Sequence, residues 1–240
     1  MYFSILLLLS NFATALPQTT PQAGPAPGTI ITKCTAPNTI ALTFDDGPWT
    51  YHPSIVTALN AAGAKATFFV TGTLYNCIYS QASVLNATFA AGHQIASHTW
   101  DHKGLNTLSA AEITTQMTKL ETAFSNILGV KPTYMRPPNG NTGGQTVSVL
   151  KGLGYRLVTW DIDSGDWNKE SPESSERKLT VGPHIILMHE TIPSTASTLA
   201  PWTIDWAKKN DLKMVTVAEC LGDKDGAYTT PVAKTGAKSC

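Results

Sequence analysis

Short apolar runs alternate with helix-like segments along most of this chain, and that alternation limits the folds it can adopt. The runs with strand-like length and composition are Thr39–Phe44, Ala66–Val70, Gln94–Ser97, Tyr134–Arg136, Arg156–Thr159, His184–Met188 and Lys213–Val217. The helix-like segments are Pro53–Ala62, Gln81–Ala91, Ser109–Leu128, Gly144–Leu153 and Thr198–Asn210. This order predicts an α/β fold with a parallel sheet and helical crossovers. Its active site should lie at the carboxyl ends of the strands.

Length and charge narrow the class of protein further. The 240 residues are 42% hydrophobic, which is enough for one domain with a sizeable core. The formal net charge is zero, so the chain lacks the excess of basic residues expected of a protein that binds nucleic acid. Beyond the N-terminus no apolar run is long enough to span a bilayer. We expect a monomer.

The N-terminus has the pattern of a secretory signal. An apolar core at Ile5–Leu9 precedes the small-x-small sequence at Ala13–Ala15, which predicts a signal peptide over residues 1–15. Residues 16–33 are rich in Pro and Thr and should form a linker. We expect the folded domain at 34–222 and a polar tail at 223–240. The protein is therefore expected to be secreted, outside the cell or in the cell wall.

The four cysteines form an even set in a chain predicted to be exported, so two disulfides are expected. Three pairings are available. We favour Cys34 with Cys220, which would join the start of the fold to its end and leave Cys77 with Cys240. The sequence also contains one glycosylation sequon, at Asn86.

Two adjacent carboxylates, Asp45 and Asp46, end the first predicted strand and are followed by a Gly-Pro turn. Consecutive side chains point in different directions, so one can face a metal ion while the other sits beside an attacking water. The alternative interpretation is that the two acids belong to an Asp-Gly turn that simply ends a strand. His98 and His102 lie on one face if a helical turn joins them. With Asp46 they form a ligand set suited to zinc, and cobalt or nickel would also be accepted.

Three later segments carry further polar groups. Arg136 opens a Pro-Pro loop, and its permanent charge can orient a base carboxylate. The segment Asp161–Trp167 places three acids around a Gly turn that ends in an aromatic residue, which suits an acid that tunes a histidine and a Trp that walls a sugar site. A calcium loop is the rival, but the turn lacks the required Glu. His189 ends an apolar strand and can donate a proton to a leaving amine. Taken alone, the first could be an ordinary turn with a surface Arg, the second a solvated acidic loop, and the third a structural histidine.

In order and spacing, these segments resemble the NodB-type polysaccharide deacetylases, carbohydrate esterase family four. Thr43–Pro48 and Ser97–His102 are the most specific of them, and the latter looks especially like fungal chitin deacetylases. The resemblance covers roughly Thr39–Leu221. It implies a distorted (β/α)7 barrel with a groove across its top.

The resemblance also implies a role for each matching residue. The catalytic set would be the general base Asp45, Arg136 that orients it, the general acid His189, and Asp163 that tunes His189. The divalent metal would be held by Asp46, His98 and His102. The substrate would contact Asn139, Trp167 and Leu187, with the acetyl methyl against the last two.

One position departs from the family pattern, because Asn139 stands where the family usually has Tyr. If only the backbone N–H at this position stabilises an oxyanion, Asn suffices. If the ring also walls the acetyl site, the fit of the substrate changes. We therefore expect catalysis to survive and specificity to be affected.

The resemblance predicts metal-dependent hydrolysis of N-acetyl groups on chitin or chito-oligosaccharides, with release of acetate. An acetylxylan esterase on the same scaffold is the nearest alternative. From another class, the chain could be a non-catalytic glycan-binding protein that uses the aromatic side chains Trp100, Trp167, Trp202 and Trp206. This alternative is disfavoured because none of the expected ligands or bases is missing.

Overall fold

The structure is a computed structural model that describes residues 24–230 and 239–240. The expected signal peptide, the first part of the expected linker and most of the last residues of the expected tail lie outside these ranges. Within the described ranges, none of the helices combines the length and apolar character needed to cross a membrane.

The strands and helices follow the predicted alternation. The strands are β1 Ile30–Ile31, β2 Thr39–Asp45, β3 Thr67–Val70, β4 Gln94–Ser97, β5 Lys131–Pro132, β6 Tyr134–Met135, β7 Arg156–Val158, β8 Ile162–Asp163, β9 Ile185–His189, β10 Lys213–Met214 and β11 Tyr228–Thr229. The helices are α1 His52–Ala61, α2 Ala82–Ala90, α3 Ala110–Leu128, α4 Thr146–Gly152, α5 Pro172–Glu176, α6 Ala200–Lys209 and α7 Val217–Cys220.

The main sheet is parallel and has the order β1-β7-β6-β4-β3-β2-β9-β8, with β10 added beside β2. Helices surround it, so the sheet forms an open half-barrel. Because all of these strands run in one direction, their carboxyl ends meet at one rim. A separate antiparallel pair joins β11 to β5.

Side-chain alternation along β2 decides what its last residue faces. Ile40, Leu42 and Phe44 pack into the apolar cluster between the sheet and the helices. The intervening residues face the barrel interior, where Ala41 packs in a second cluster. Asp45 continues this interior face at the rim, and it is 2% exposed. The pattern of the strand therefore directs this carboxylate into the barrel mouth.

The longest helix begins where the sequence predicts. Ser109 caps α3 with its side chain, and the Glu112 side chain bonds back to the Ser109 backbone. This reciprocal capping box satisfies donors that the first turn of a helix leaves without partners. Gly129 ends the helix in the left-handed region, at φ 73°.

The structure differs from the sequence-based expectation at both ends of the domain. β1 lies in the expected linker and pairs with β7, and β11 lies in the expected tail. The folded unit therefore extends beyond 34–222. The expected strand Lys213–Val217 is only two residues long, because Thr216 and Glu219 form a capping box that starts α7. The Thr-x-x-Glu pattern was the signal for this helix.

Both favoured disulfides are confirmed. Cys34 bonds to Cys220 and Cys77 bonds to Cys240. The first is buried against the second apolar cluster and joins residues 186 positions apart.

Removing the Cys34–Cys220 disulfide should destabilise the fold. We expect the double replacement by Ala to lower the free energy of unfolding by about 2–5 kcal/mol, because the link restricts the unfolded chain. Urea denaturation of the two proteins measures the difference. Equal midpoints and equal slopes would contradict the expectation.

Candidate active site and metal centre

A cavity of about 340 Å³ opens at the carboxyl rim of the barrel. Most of the site residues predicted from the sequence line it. The lining consists of Asp45, Asp46, Tyr75, His98, His102, Asn139, Trp160, Asp163, Trp167, Leu187, His189, Thr191 and Ile192. Tyr75, Trp160, Thr191 and Ile192 were not predicted, because isolated aromatic, aliphatic and hydroxyl side chains carry no sequence signal for a site.

Arg136 holds Asp45 in place. The guanidinium is fully buried, and its Nη1 donates to Asp45 Oδ1 at 2.7 Å and to Thr43 Oγ1 at 2.8 Å. Its flat face lies 4.3 Å from the Phe69 ring centroid and 5.5 Å from that of Trp160. Burial raises the pKa of Asp45, while the charge of Arg136 opposes that rise. The hydrogen bond from Arg136 therefore fixes the position of the Asp45 carboxylate, and burial and the Arg136 charge act on its pKa in opposite directions.

Asp46, His98 and His102 come together as a candidate metal site. One ligand atom from each lies within 4.8 Å of the others. Asp46 Oδ1 is 3.5 Å from His98 Nε2 and 3.4 Å from His102 Nε2. This oxygen is buried without a hydrogen-bond partner among the described residues, which is the condition expected of a ligand atom.

The protonation of His98 also fits a metal site. Its Nδ1 donates to the Arg136 carbonyl at 2.7 Å, which leaves Nε2 free to coordinate. Burial lowers the pKa of His98 to about 3, despite the opposing charge of Asp46. The ring is therefore neutral, as coordination requires. These residues fit a divalent cation, and the donor set of one carboxylate and two imidazoles suits zinc, cobalt or nickel.

No helical turn joins His98 and His102, although the sequence analysis assumed one in order to place them on the same face. Thr99 and His102 have φ of 71° and 61°, so the segment is a tight loop. Thr99 Oγ1 accepts the His102 N–H at 3.1 Å, and Gln116 Oε1 accepts two further N–H groups of the loop. These bonds hold the left-handed turns that bring both imidazoles to the same oxygen.

The partner of His189 is Asp166, and the expectation for Asp163 is corrected. Asp166 Oδ1 lies 2.7 Å from His189 Nδ1, and its Oδ2 accepts the His189 backbone N–H at 2.7 Å. Asp163 instead accepts from Gly165 N and from the Trp167 indole. Gly165 lies between the two acids with φ 76°, and this turn carries Asp166 to the histidine.

His189 carries a proton at neutral pH. Burial by itself would lower its pKa, but the hydrogen bond and charge of Asp166, with help from Asp45 and Asp46, raise the pKa to about 9. The protonated form is thus present below about pH 9 and is lost as the pH rises through that value. This histidine lines the cavity, and in its protonated form it can donate a proton there.

Replacing Asp166 by Asn should return the pKa of His189 towards its ordinary value of about 6.5, because burial is then opposed only by the smaller effects of Asp45 and Asp46. NMR titration of the imidazole measures the shift. Asp163→Asn is the matched control and should leave the pKa of His189 close to that of the unmodified protein. If Asp163→Asn lowered this pKa more than Asp166→Asn did, our assignment of the partner would be wrong.

The three residues expected to bind substrate all line the cavity. Leu187 on β9 is 3% exposed, whereas Trp167 is 57% exposed. Asn139 has φ 57° and an exposed side chain in the turn Pro138–Gly140. Asn tolerates this left-handed conformation better than most residues. All three residues line the same cavity as Asp45 and His189.

The remaining three histidines have polar partners away from the cavity. His52 contacts Glu190, His93 accepts the Ala66 N–H, and His184 contacts Asp161. None of the three lines the cavity. The expected glycosylation residue Asn86 is exposed on α2.

Comparison with known proteins identifies the family of this chain. The polysaccharide deacetylase family model matches residues 32–158, which is more than half of the chain. The chain belongs to the polysaccharide deacetylase family. The match begins before β2 and ends with β7, so it contains the carboxylate pair, both candidate histidine ligands and Arg136.

Relatives of this polysaccharide deacetylase include proteins described with different glycans. A chitin deacetylase from Pestalotiopsis sp is 45% identical over 222 residues, covering 90% of this chain and 74% of the relative. A probable peptidoglycan-N-acetylglucosamine deacetylase from Arthroderma benhamiae is 38% identical over 215 residues. That match covers 85% of this chain and only 49% of the relative.

A solved structure confirms the fold. The chitin deacetylase from the fungal pathogen Colletotrichum lindemuthianum superposes with a TM-score of 0.82 at 35% identity. The superposition covers 87% of this chain and 98% of that one. The polysaccharide deacetylase fold, a distorted (β/α)7 barrel, is therefore the fold of this chain.

Proposed function

We propose that this polysaccharide deacetylase hydrolyses N-acetyl groups of chitin or chito-oligosaccharides and releases acetate. The observation that carries the proposal is that the two adjacent acids have different surroundings. Asp45 is bonded to Arg136 at 2.7 Å, while the Asp46 oxygen between the two imidazoles has no hydrogen-bond partner among the described residues. One carboxylate is thus available to a cation and the other to a proton.

The proposed metal ligands are Asp46, His98 and His102, and zinc is the proposed metal. A divalent cation held there would polarise the acetyl carbonyl and lower the pKa of a nearby water. Zinc sites that catalyse hydrolysis keep a position open beside three protein ligands. Three protein ligands facing a cavity meet that requirement.

Asp45 is the proposed general base. Arg136 fixes one of its oxygens, and the other, Oδ2, lies 3.7 Å from His98 Nε2 at the edge of the metal set. A carboxylate at this position can take a proton from water as the water attacks the acetyl carbon. Because burial raises the pKa of Asp45, it accepts that proton more readily than an exposed carboxylate would.

His189 is the proposed general acid. The amine of an N-acetyl sugar is a poor leaving group unless its nitrogen is protonated as the C–N bond breaks. Asp166 keeps His189 protonated and orients its ring, with Nε2 left for the substrate. The roles of base and acid are thus separated by environment, as in other enzymes with paired titratable groups.

The pocket walls suit an acetyl group on a sugar. We propose that Leu187 and Trp167 contact the acetyl methyl and that the backbone N–H of Asn139 helps to stabilise the oxyanion. The exposed face of Trp167 can pack against a sugar ring. Asn139 leaves more room here than a ring would, so we expect it to affect substrate choice.

The proposed substrate follows from the relatives and from the chemistry of the acid. Relatives described as chitin deacetylases and a probable peptidoglycan-N-acetylglucosamine deacetylase all act on N-acetylated glycans by name. A protonated histidine is more necessary for an amide than for an ester, whose leaving oxygen needs less help. This favours amide hydrolysis over an acetylxylan esterase.

The deciding assay measures acetate release from a panel of acetylated glycans. We expect release from chitin oligomers to exceed release from acetylated xylan and from peptidoglycan, to stop after chelation, and to return with zinc. Faster release from xylan would favour the esterase. Binding of chitin oligomers without acetate release, with zinc present, would favour a glycan-binding protein.

We also propose that the protein is exported after removal of residues 1–15 and acts outside the cell or in the cell wall. Two disulfides support this, because such bonds persist in oxidising compartments. Glycosylation at Asn86, a monomeric state and the absence of a nucleic-acid partner remain predictions. Mass spectrometry of the secreted protein tests the cleavage site and the sugar.

A further inference from the structure

A buried acid–imidazole pair lies behind the pocket, and the proposed chemistry does not use it. Glu190 and His52 are both 0% exposed, and Glu190 Oε2 lies 2.7 Å from His52 Nδ1. Glu190 directly follows His189 at the end of β9. Since neighbouring side chains alternate, His189 faces the pocket and Glu190 faces the start of α1.

Every polar atom of this pair has a partner. Glu190 Oε1 accepts the Trp49 N–H at 3.0 Å, and His52 Nε2 lies 2.8 Å from Thr88 Oγ1. Thr88 donates its only hydroxyl proton to the Val84 carbonyl, so His52 Nε2 must be the donor to Thr88. One more proton lies between His52 Nδ1 and Glu190 Oε2. The pair is therefore net neutral wherever that proton sits.

The Glu190 carboxylate rests on the turn that carries the two catalytic-site acids. A methyl group added to Gly47 would lie 1.7 Å from Glu190 Oε1, so the carboxylate is in direct contact with this backbone. The Glu190 N–H also donates to the Asp45 carbonyl at 3.3 Å. Glu190 thus contacts the chain both before and after Asp46 and joins the ends of β2 and β9.

We propose that Glu190, held by His52, is a positioning residue that fixes the Asp45–Asp46 turn relative to His189. This inference rests on the proposed function, which requires a base and an acid to face the same substrate. Neither Glu190 nor His52 lines the cavity, so their effect passes through the backbone. Without the Glu190 side chain, the end of β9 keeps its backbone bonds to β2 but loses the bond to the Trp49 N–H and the contact with Gly47. The base and the acid then lose their alignment.

The test is the kinetics of two Glu190 variants on the acetylated glycan that the unmodified protein hydrolyses. We expect Glu190→Ala to lower kcat about 100-fold with KM changed less than about twofold, since a 1 Å misplacement can cost this much. Glu190→Gln should recover kcat to within about fivefold, because its amide can accept from Trp49 and donate to a neutral His52.

Glu121→Ala is the matched control for the loss of a buried carboxylate. Glu121 is 6% exposed, accepts from the Tyr155 hydroxyl at 3.0 Å, and is remote from the cavity lining. We expect this variant to lower Tm while kcat stays unchanged. Bound zinc per chain, measured by elemental analysis, should be the same in all variants.

Three results would overturn the inference. They are an unchanged kcat in folded Glu190→Ala, a rise in KM alone, and a Gln variant as slow as the Ala variant. If Glu190→Ala does not fold, His52→Gln decides, with about tenfold lower kcat expected and an unchanged kcat contradicting us. An unmodified protein that releases no acetate would instead count against the proposed function.

Discussion

Replacing Asp45 by Asn should lower kcat for deacetylation by about 10²–10⁴-fold, the usual contribution of a general base. The amide keeps the shape of the side chain and can still accept from Arg136, but it cannot take a proton from water. Zinc binding should persist, because the proposed ligand is the neighbouring Asp46. Initial rates of acetate release and calorimetric titration with zinc measure the two effects separately.

Asp223→Asn is the control for Asp45→Asn, because Asp223 also pairs with an arginine. Its Oδ2 lies 3.4 Å from Arg156 Nη2, and it does not line the cavity. We expect the control to keep kcat within about twofold. An Asp45→Asn variant with near-normal kcat, or one that no longer binds zinc, would rule out a free base at this position.

Replacing His189 by Ala should slow the hydrolysis of N-acetyl glycans by about 10²–10⁴-fold, because no group then protonates the leaving amine. The same variant should lose only about tenfold or less on an aryl acetate, whose leaving oxygen departs without a proton. The ratio of the two effects separates a proton donor from a side chain that only shapes the pocket.

His184→Ala is the control for His189→Ala, because His184 lies at the opposite end of β9 from His189. His184 precedes β9, and its Nδ1 lies 2.7 Å from Asp161, so it forms a similar acid–imidazole pair away from the pocket. It should leave both rates unchanged. Equal losses on the amide and the aryl ester in His189→Ala would contradict the acid role.

The long elements of the fold could be predicted because their patterns are local. β2 and β9 are apolar runs, and α3 carries its own start signal at Ser109 and stop signal at Gly129. The two-residue strands β1 and β11 have no recognisable period. They exist because β7 and β5 offer them unpaired backbone groups, which is a property of the assembled fold.

The candidate metal site could also be predicted from the sequence, because its residues follow predicted strands. Asp46 and His98 each follow the end of a predicted strand, and His102 comes from the same short segment as His98. Because the carboxyl ends of parallel strands meet at one rim, these residues were expected to lie close together. The same sequence did not reveal their loop conformation. That conformation depends on Gln116, which lies on α3 and bonds the loop from outside.

Asp166 and Glu190 could not be assigned from sequence because their roles depend on register. Three acids, Asp161, Asp163 and Asp166, lie within one short turn, and no spacing rule tells which one reaches His189. The pairing of β8 with β9 and the left-handed Gly165 decide the matter. Likewise, the partner of Glu190 is known only once α1 is docked.

The most direct test is a crystal structure of the protein with zinc bound. Our account predicts one ion, located by anomalous scattering and held by Asp46, His98 and His102, while Asp45 keeps its bond to Arg136. An ion coordinated by both adjacent aspartates, or by neither of them, would contradict the account.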